Sequence, residues 1–138
     1  MDREQPAPAG RLLFLGLIGA PYESDTLTTA VRIADEALRR QHRVELWTCG
    51  FATTLTTVQV SGVKPRDVRA WDARYPTPAA LAAHLLESRG GDFRWLVCRY
   101  CAEERGALEQ IPGVRIRPPY EFLQRATAAD ASLVLGVK

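Results

Sequence analysis

The sequence predicts a three-layer α/β/α sandwich on a mostly parallel five-stranded sheet. Two observations carry this reading. Short continuous apolar runs, with the look of strands buried on both faces, alternate with longer stretches of helical periodicity. The chain also opens strand, helix, strand without long loops, which argues for right-handed parallel crossovers. A chain of 138 residues buries roughly two-thirds of its unfolded surface, enough for one real core. One domain is therefore expected over residues 11–138, behind a mobile tail of residues 1–10 that carries two prolines and little to bury.

Each element has its own signal. "RLLFLGLIG" (11–19) is an unbroken apolar run closed by glycine and proline, and reads as the first strand. From residue 26 to about 41, Leu27, Ala30, Val31, Ala34, Ala37 and Leu38 recur at helical spacing. Ser24 or Asp25 stands at the N-cap and basic residues stand at the far end. "RVELWTCG" (43–50) is the second strand. Residues 51–76 are hard to read, since β-branched "TTLTTVQV" occupies the place of a crossover helix; a short extra strand is expected around Val68–Trp71. Thr77-Pro78 opens the helix "PAALAAHLLESRGG", which stops at Gly90-Gly91. "FRWLVC" is the third core strand. A helix from about Cys101 to Leu108, a strand at "GVRIR", a helix at about 119–129 and a last strand "ASLVLGV" complete the pattern.

Composition narrows the function classes. The apolar fraction is 46% and the charged fraction 25%, those of an ordinary globular chain with no membrane span. Eighteen basic against 16 acidic residues give a net charge of +2, and the arginines are spread along the chain. Nucleic-acid binding would call for a clustered basic face. Three cysteines, an odd number at low density, fit a reducing cytoplasm better than a disulfide framework. The run Leu12–Ala20 imitates a signal-peptide core, but acidic residues precede it and the sheet needs it as a strand.

In a parallel α/β sheet, ligands and reactive groups gather at the carboxyl ends of the strands. Cys49 closes the second strand and Cys98 the third, with Cys101 in the turn after it, so all three thiols are expected on one edge. The reactive species is the thiolate, a minor form at neutral pH for an unperturbed thiol of pKa about 8.5. A helix N-terminus contributes about 0.3–1 kcal/mol, less than one pKa unit, and Glu103 and Glu104 in the first turn push the other way, so Arg99, Arg105 or a partner protein has to contribute. His42 and His84 lie away from the cysteine edge, which argues against a Cys-His hydrolase. Sulfur passing between thiols needs no general base once a thiolate exists.

Zinc would want four ligands, or three and a water, and the cysteines lack a second C-x-x-C or paired histidines, so no metal is expected. "GLIG" (16–19) lacks the G-x-G-x-x-G spacing of a dinucleotide loop, and no other cofactor is indicated. Tyr22, Ser24 and Asp25 read as loop and cap residues, and Trp47, Trp71 and Trp95 as core or interface anchors.

"VCRYCAEERGA" followed by "VRIRPPYEFLQRATAADASLVLGV", together with the opening "LLFLGLIGAPYESDTLTTAVRIADEALRRQHRVELWTCG", resembles the DsrE/DsrF/TusD family of sulfur-relay proteins over most of residues 11–137. The resemblance implies a parallel sheet in the order 4-3-2-1-5 and oligomeric assembly with the cysteines near subunit contacts. It also implies a persulfide carried on the cysteine that ends the third strand, here Cys98, eight residues before Gly106. Cys101 matches a second cysteine found in many relatives. Cys49 would approach Cys98, since strands two and three become neighbours. The partners implied are an upstream sulfurtransferase and a downstream sulfur acceptor. Where some relatives carry glycine after the first cysteine this chain has Arg99, which changes the loop and places a cation beside the sulfur. Two other readings stay open: an oligomeric ligand- or partner-binding scaffold with silent cysteines, and a dithiol oxidoreductase using Cys98 and Cys101.

Overall fold

The computed structural model describes residues 10–19, 25–60 and 76–136. Five strands pair in the order β4-β3-β2-β1-β5. They are β1 (Leu12–Ile18), β2 (Arg43–Cys49), β3 (Phe93–Cys98), β4 (Arg115–Arg117) and β5 (Ala131–Gly136). Every pairing is parallel, from Leu12 opposite Arg43 at one seam to Cys98 opposite Arg117 at another. Among the described residues four α-helices accompany them: α1 (Thr26–Arg39), α2 (Pro78–Arg89), α3 (Arg99–Glu104) and α4 (Glu121–Ala128). The expected fold class and strand order are both present.

Side-chain alternation along the strands separates two cores. Leu15 and Leu17 of β1, Val44 and Leu46 of β2, and Phe93, Trp95 and Val97 of β3 pack against Ala30, Ala34 and Leu38 of α1 and Ala82 and Leu85 of α2. The other face gathers Phe14, Trp47, Leu96 and Cys98 beneath Phe122, Ala126 and Ala129 of the α4 region. The strand order explains the split. Right-handed crossovers from β1 to β4 step in one direction and put their helices on one face, whereas the return from β4 to β5 reverses the step and puts α4 on the other. Edge-on ring contacts of Phe122 with Phe14 at 5.4 Å and Trp47 at 5.8 Å seat α4 on this second core.

Element boundaries follow local chemistry. Thr77 caps α2, its hydroxyl accepting from the Ala80 N–H at 3.3 Å, with proline next in line. At the head of α1, Asp25 occupies the N-cap position but makes no side-chain capping bond. Directly after β2, where a crossover helix is expected, Gly50–Thr56 form a 3₁₀ segment instead, and residues 61–75 lie outside the described residues. The extra strand expected at Val68–Trp71, the tail over residues 1–9, and Tyr22 and Ser24 lie outside the described residues.

The expected helix over Cys101–Leu108 is displaced, because α3 starts directly at the end of β3 and stops at Glu104. The stop is a Schellman motif. Gly106, at φ +62, donates to the Glu103 carbonyl at 3.4 Å, and the Ala107 N–H reaches the Ala102 carbonyl at 2.8 Å. Glu103 and Glu104 therefore end the helix rather than crowd its first turn.

Candidate functional site

Backbone geometry at two strand ends assembles the site. β2 ends at Cys49, and Gly50, in the left-handed region at φ +65, turns the chain into the 3₁₀ segment. That turn is pinned to β1 by the Gly19 N–H, which donates to the Cys49 carbonyl at 3.3 Å. β3 ends one strand over at Cys98, which is also the N-cap residue of α3. Cys101 follows within the first turn, so the helix folds it back over the strand end. Between the strands the buried Thr48 hydroxyl donates to the Leu96 carbonyl at 3.0 Å, holding the two cysteine-bearing ends in register. The result is three sulfurs, from Cys49, Cys98 and Cys101, all within 4.8 Å of one another.

These thiols are not equivalent. Cys98 is only 2% exposed and belongs to the second core, while Cys49 and Cys101 are half-buried at its margin. The Trp47 indole N–H donates to the Cys49 sulfur at 3.0 Å. Burial pushes the Cys49 thiol from 9.0 up to about 12; the Trp47 bond opposes this, and the neighbouring Cys98 and Cys101 add to it. Burial likewise raises the Cys98 thiol, against the pull of the Cys101 backbone N–H. In the isolated chain, then, both sulfurs are protonated at neutral pH.

The cations expected to stabilise a thiolate are engaged elsewhere. Arg99 donates from Nε to Glu103 at 2.9 Å across an exposed helical turn. Arg105 donates from Nη1 to the Cys101 carbonyl at 3.1 Å and to Glu104 at 3.3 Å, and its guanidinium lies 4.6 Å from the Phe51 ring centroid. Arg105 thus positions the cysteine turn through its backbone. It also walls an open cleft of about 560 Å³ with Phe51, Thr54 and Glu104, between the 3₁₀ segment and α3. Gln110 braces the same region, donating to the Thr53 and Ala107 carbonyls at 2.9 and 2.6 Å.

His42 sits at the opposite end of the sheet, where Nδ1 accepts from the Arg11 N–H at 3.2 Å. His84 lies within α2. Neither serves as a base at the cysteines, in line with the sequence reading. A small cavity of about 80 Å³ at that opposite end, lined by Arg43, Asp92 and Arg94, also lies away from the thiols.

Two features escape a reading by sequence. One is the Trp47 donor, although its spacing of two from Cys49 along a strand already places both side chains on one face. The other is the ion-pair chain that ties β2 to α4: Arg117 to Glu121, Glu121 to Arg125, and Arg125 to Glu45. Its signal was the four-residue spacing of 117, 121 and 125.

Chemically, the site offers thiol exchange on a dry floor with two approachable sulfurs. Comparisons with models of protein families and with curated proteins found no match. Among solved structures, the chain is similar to the ychN protein from E. coli, with a TM-score of 0.69, 25% identity, and coverage of 91% of this chain and 99% of that one. This likeness supports the DsrE-like fold that the sequence resemblance implies, on an all-parallel five-stranded sheet. Among the described residues no helix is long and apolar enough to cross a membrane.

Proposed function

We propose that the chain is a sulfur-relay carrier holding sulfane sulfur as a persulfide on Cys98, with Cys101 receiving it from a donor. The observation that carries this reading is the convergence of three sulfurs within 4.8 Å at the carboxyl edge of a DsrE-like sheet. Cys101 is reachable by a visiting protein, whereas Cys98 lies beneath it and shields what it holds from water and oxidants. Transfer is an exchange: a donor persulfide, R–S–SH, and a protein thiol become R–SH and the protein persulfide, with one S–S bond broken and one formed. The raised Cys98 thiol makes the hand-over from Cys101 slow in the isolated chain, so a docked partner supplies the cation that Arg99 does not. The partners are a cytoplasmic sulfurtransferase upstream and a sulfur-accepting protein downstream. Half-exposed Leu133 and Val134 on the edge strand β5 suit assembly into an oligomer.

Mass spectrometry after incubation with a sulfurtransferase and its donor tests this. A gain of ~32 Da that a thiol reductant reverses, and that peptide mapping places on Cys98 in the unsubstituted protein and on Cys101 in Cys98→Ser, is the expected result; a gain that resists reduction is two oxygens on a sulfinic acid. A loss of ~2 Da on mild oxidation, with no sulfur uptake, favours a dithiol oxidoreductase. The burial of Cys98 supports one other reading, a binding scaffold with silent cysteines, for which neither mass change occurs.

A further inference from the structure

We infer that Cys49, Cys98 and Cys101 form a three-thiolate site for a soft monovalent metal ion, Cu(I). This goes beyond sulfur transfer and does not depend on it. The sequence offers only one C-x-x-C pair and a distant third cysteine, too few ligands for a zinc site. The fold changes the count, because pairing of β2 with β3 delivers Cys49 to the other two.

Geometry selects the coordination number. In a triangle with sides of at most 4.8 Å, the centre lies no more than about 2.8 Å from each sulfur. With a metal–thiolate bond of about 2.3 Å, a trigonal plane needs sulfurs about 4.0 Å apart, and a tetrahedral face about 3.8 Å. Contraction by at most about half an ångström per sulfur reaches these distances, within the range of small side-chain rotations, and a set of three donors suits a trigonal ion. Among the described residues, the cluster able to hold a metal consists of these three sulfurs, with no nitrogen or carboxylate in it. An all-thiolate set selects soft ions such as Cu(I), and structural zinc takes four ligands.

The surroundings fit as well. The Trp47 indole N–H already donates to the Cys49 sulfur, the kind of outer contact that orients a ligand and tempers its charge. Phe14, Trp47 and Leu96 form an apolar floor, while half-buried Cys49 and Cys101 leave an entry path. Binding is redox-neutral: one Cu(I) and three thiols give a tris-thiolate complex, and three protons pass to solvent.

The test is an anaerobic titration of the reduced full chain with Cu(I), buffered by a chromogenic Cu(I) chelator, followed by X-ray absorption of the loaded protein. The expected result is one copper per chain with three sulfurs at about 2.3 Å and quenched tryptophan emission. Cys49→Ser should weaken binding at least tenfold and lower the sulfur count to two, with circular dichroism checking that the variant folds. Two sulfurs in the unsubstituted protein, less than one copper per chain, or Zn(II) bound as tightly in the same competition would each overturn the assignment. The sulfur count needs no variant, so the inference remains testable even if Cys49→Ser is unstable.

Discussion

Alkylation of Cys49 by iodoacetamide should be unusually slow at neutral pH and should keep accelerating where an ordinary thiol has levelled off. The thiolate is the reacting form, so the rate follows its population. Burial moves the Cys49 thiol from 9.0 up to about 12. At pH 7 the thiolate fraction then falls from about one in a hundred to about one in a hundred thousand, on the order of a thousandfold. Access alone could also slow the reaction, but it would scale the rate at every pH equally. The slope separates the two: tenfold per pH unit from 7 to 10, with no plateau. Quenched time courses over that range, read by peptide mass spectrometry, give the profile residue by residue. Denaturant should restore ordinary thiol kinetics. A plateau near pH 9 in the folded protein, with a rate within tenfold of a small free thiol, would refute the account of a desolvated sulfur.

Three further outcomes follow from the fold around the site. Gly50→Ala places a Cβ at a left-handed φ of +65, 3.2 Å from the Gly19 nitrogen, and should cost about 1–2 kcal/mol in urea unfolding. An unchanged midpoint would show that this turn tolerates a side chain. Gln110→Ala leaves the Thr53 and Ala107 carbonyls without their donor; a loss of about 1–3 kcal/mol and faster amide exchange over residues 50–57 are expected. Glu121 is held from 4.5 down to about 2, chiefly by its bond to Arg117 and further by Arg125. A depressed carboxyl contributes stability that is full above pH about 4.5 and lost as pH falls toward about 2, so Glu121→Gln should flatten the stability profile within that window and leave its slope above it unchanged. Unfolding midpoints from pH 2 to 6 check this, and an identical acid slope in both proteins would contradict it.

Much of the architecture was legible because it rests on periodicity. β3 was readable to the residue, since "FRWLVC" is bounded by a turn on one side and charge on the other. The head of α2 was equally plain, because Thr77-Pro78 is a local signal whose mechanism needs no distant partner. α3 was misplaced for an instructive reason. The charged run of residues 103–105 has the composition of a helix body, and the left-handed conformation of Gly106 that ends the helix has no signature in composition. Residues 51–56 are hard to read because their three threonines carry little helical preference, and it is Gln110, 57 residues beyond Thr53, that braces the 3₁₀ segment. At the site, the three cysteines could be placed on one edge by the strand-end rule. Their sulfur contacts, the burial of Cys98 and the diversion of Arg99 to Glu103 depend on rotamers and depth, which no linear pattern encodes.

The placement of β5 beside β1 has a consequence for biosynthesis. The Asp130 carboxylate accepts from the backbone N–H of Leu12 at 2.7 Å, so a segment made later in synthesis closes against one made earlier. Until α4 arrives with β5, Phe14, Trp47 and the sulfur at Cys98 have no cover on their side of the nascent sheet. A newborn polypeptide would spend those seconds with the Cys98 thiol bare and a greasy surface open to aggregation. Thiol-trapping of chains stalled before residue 121 should find Cys98 reactive, and the finished protein should hide it.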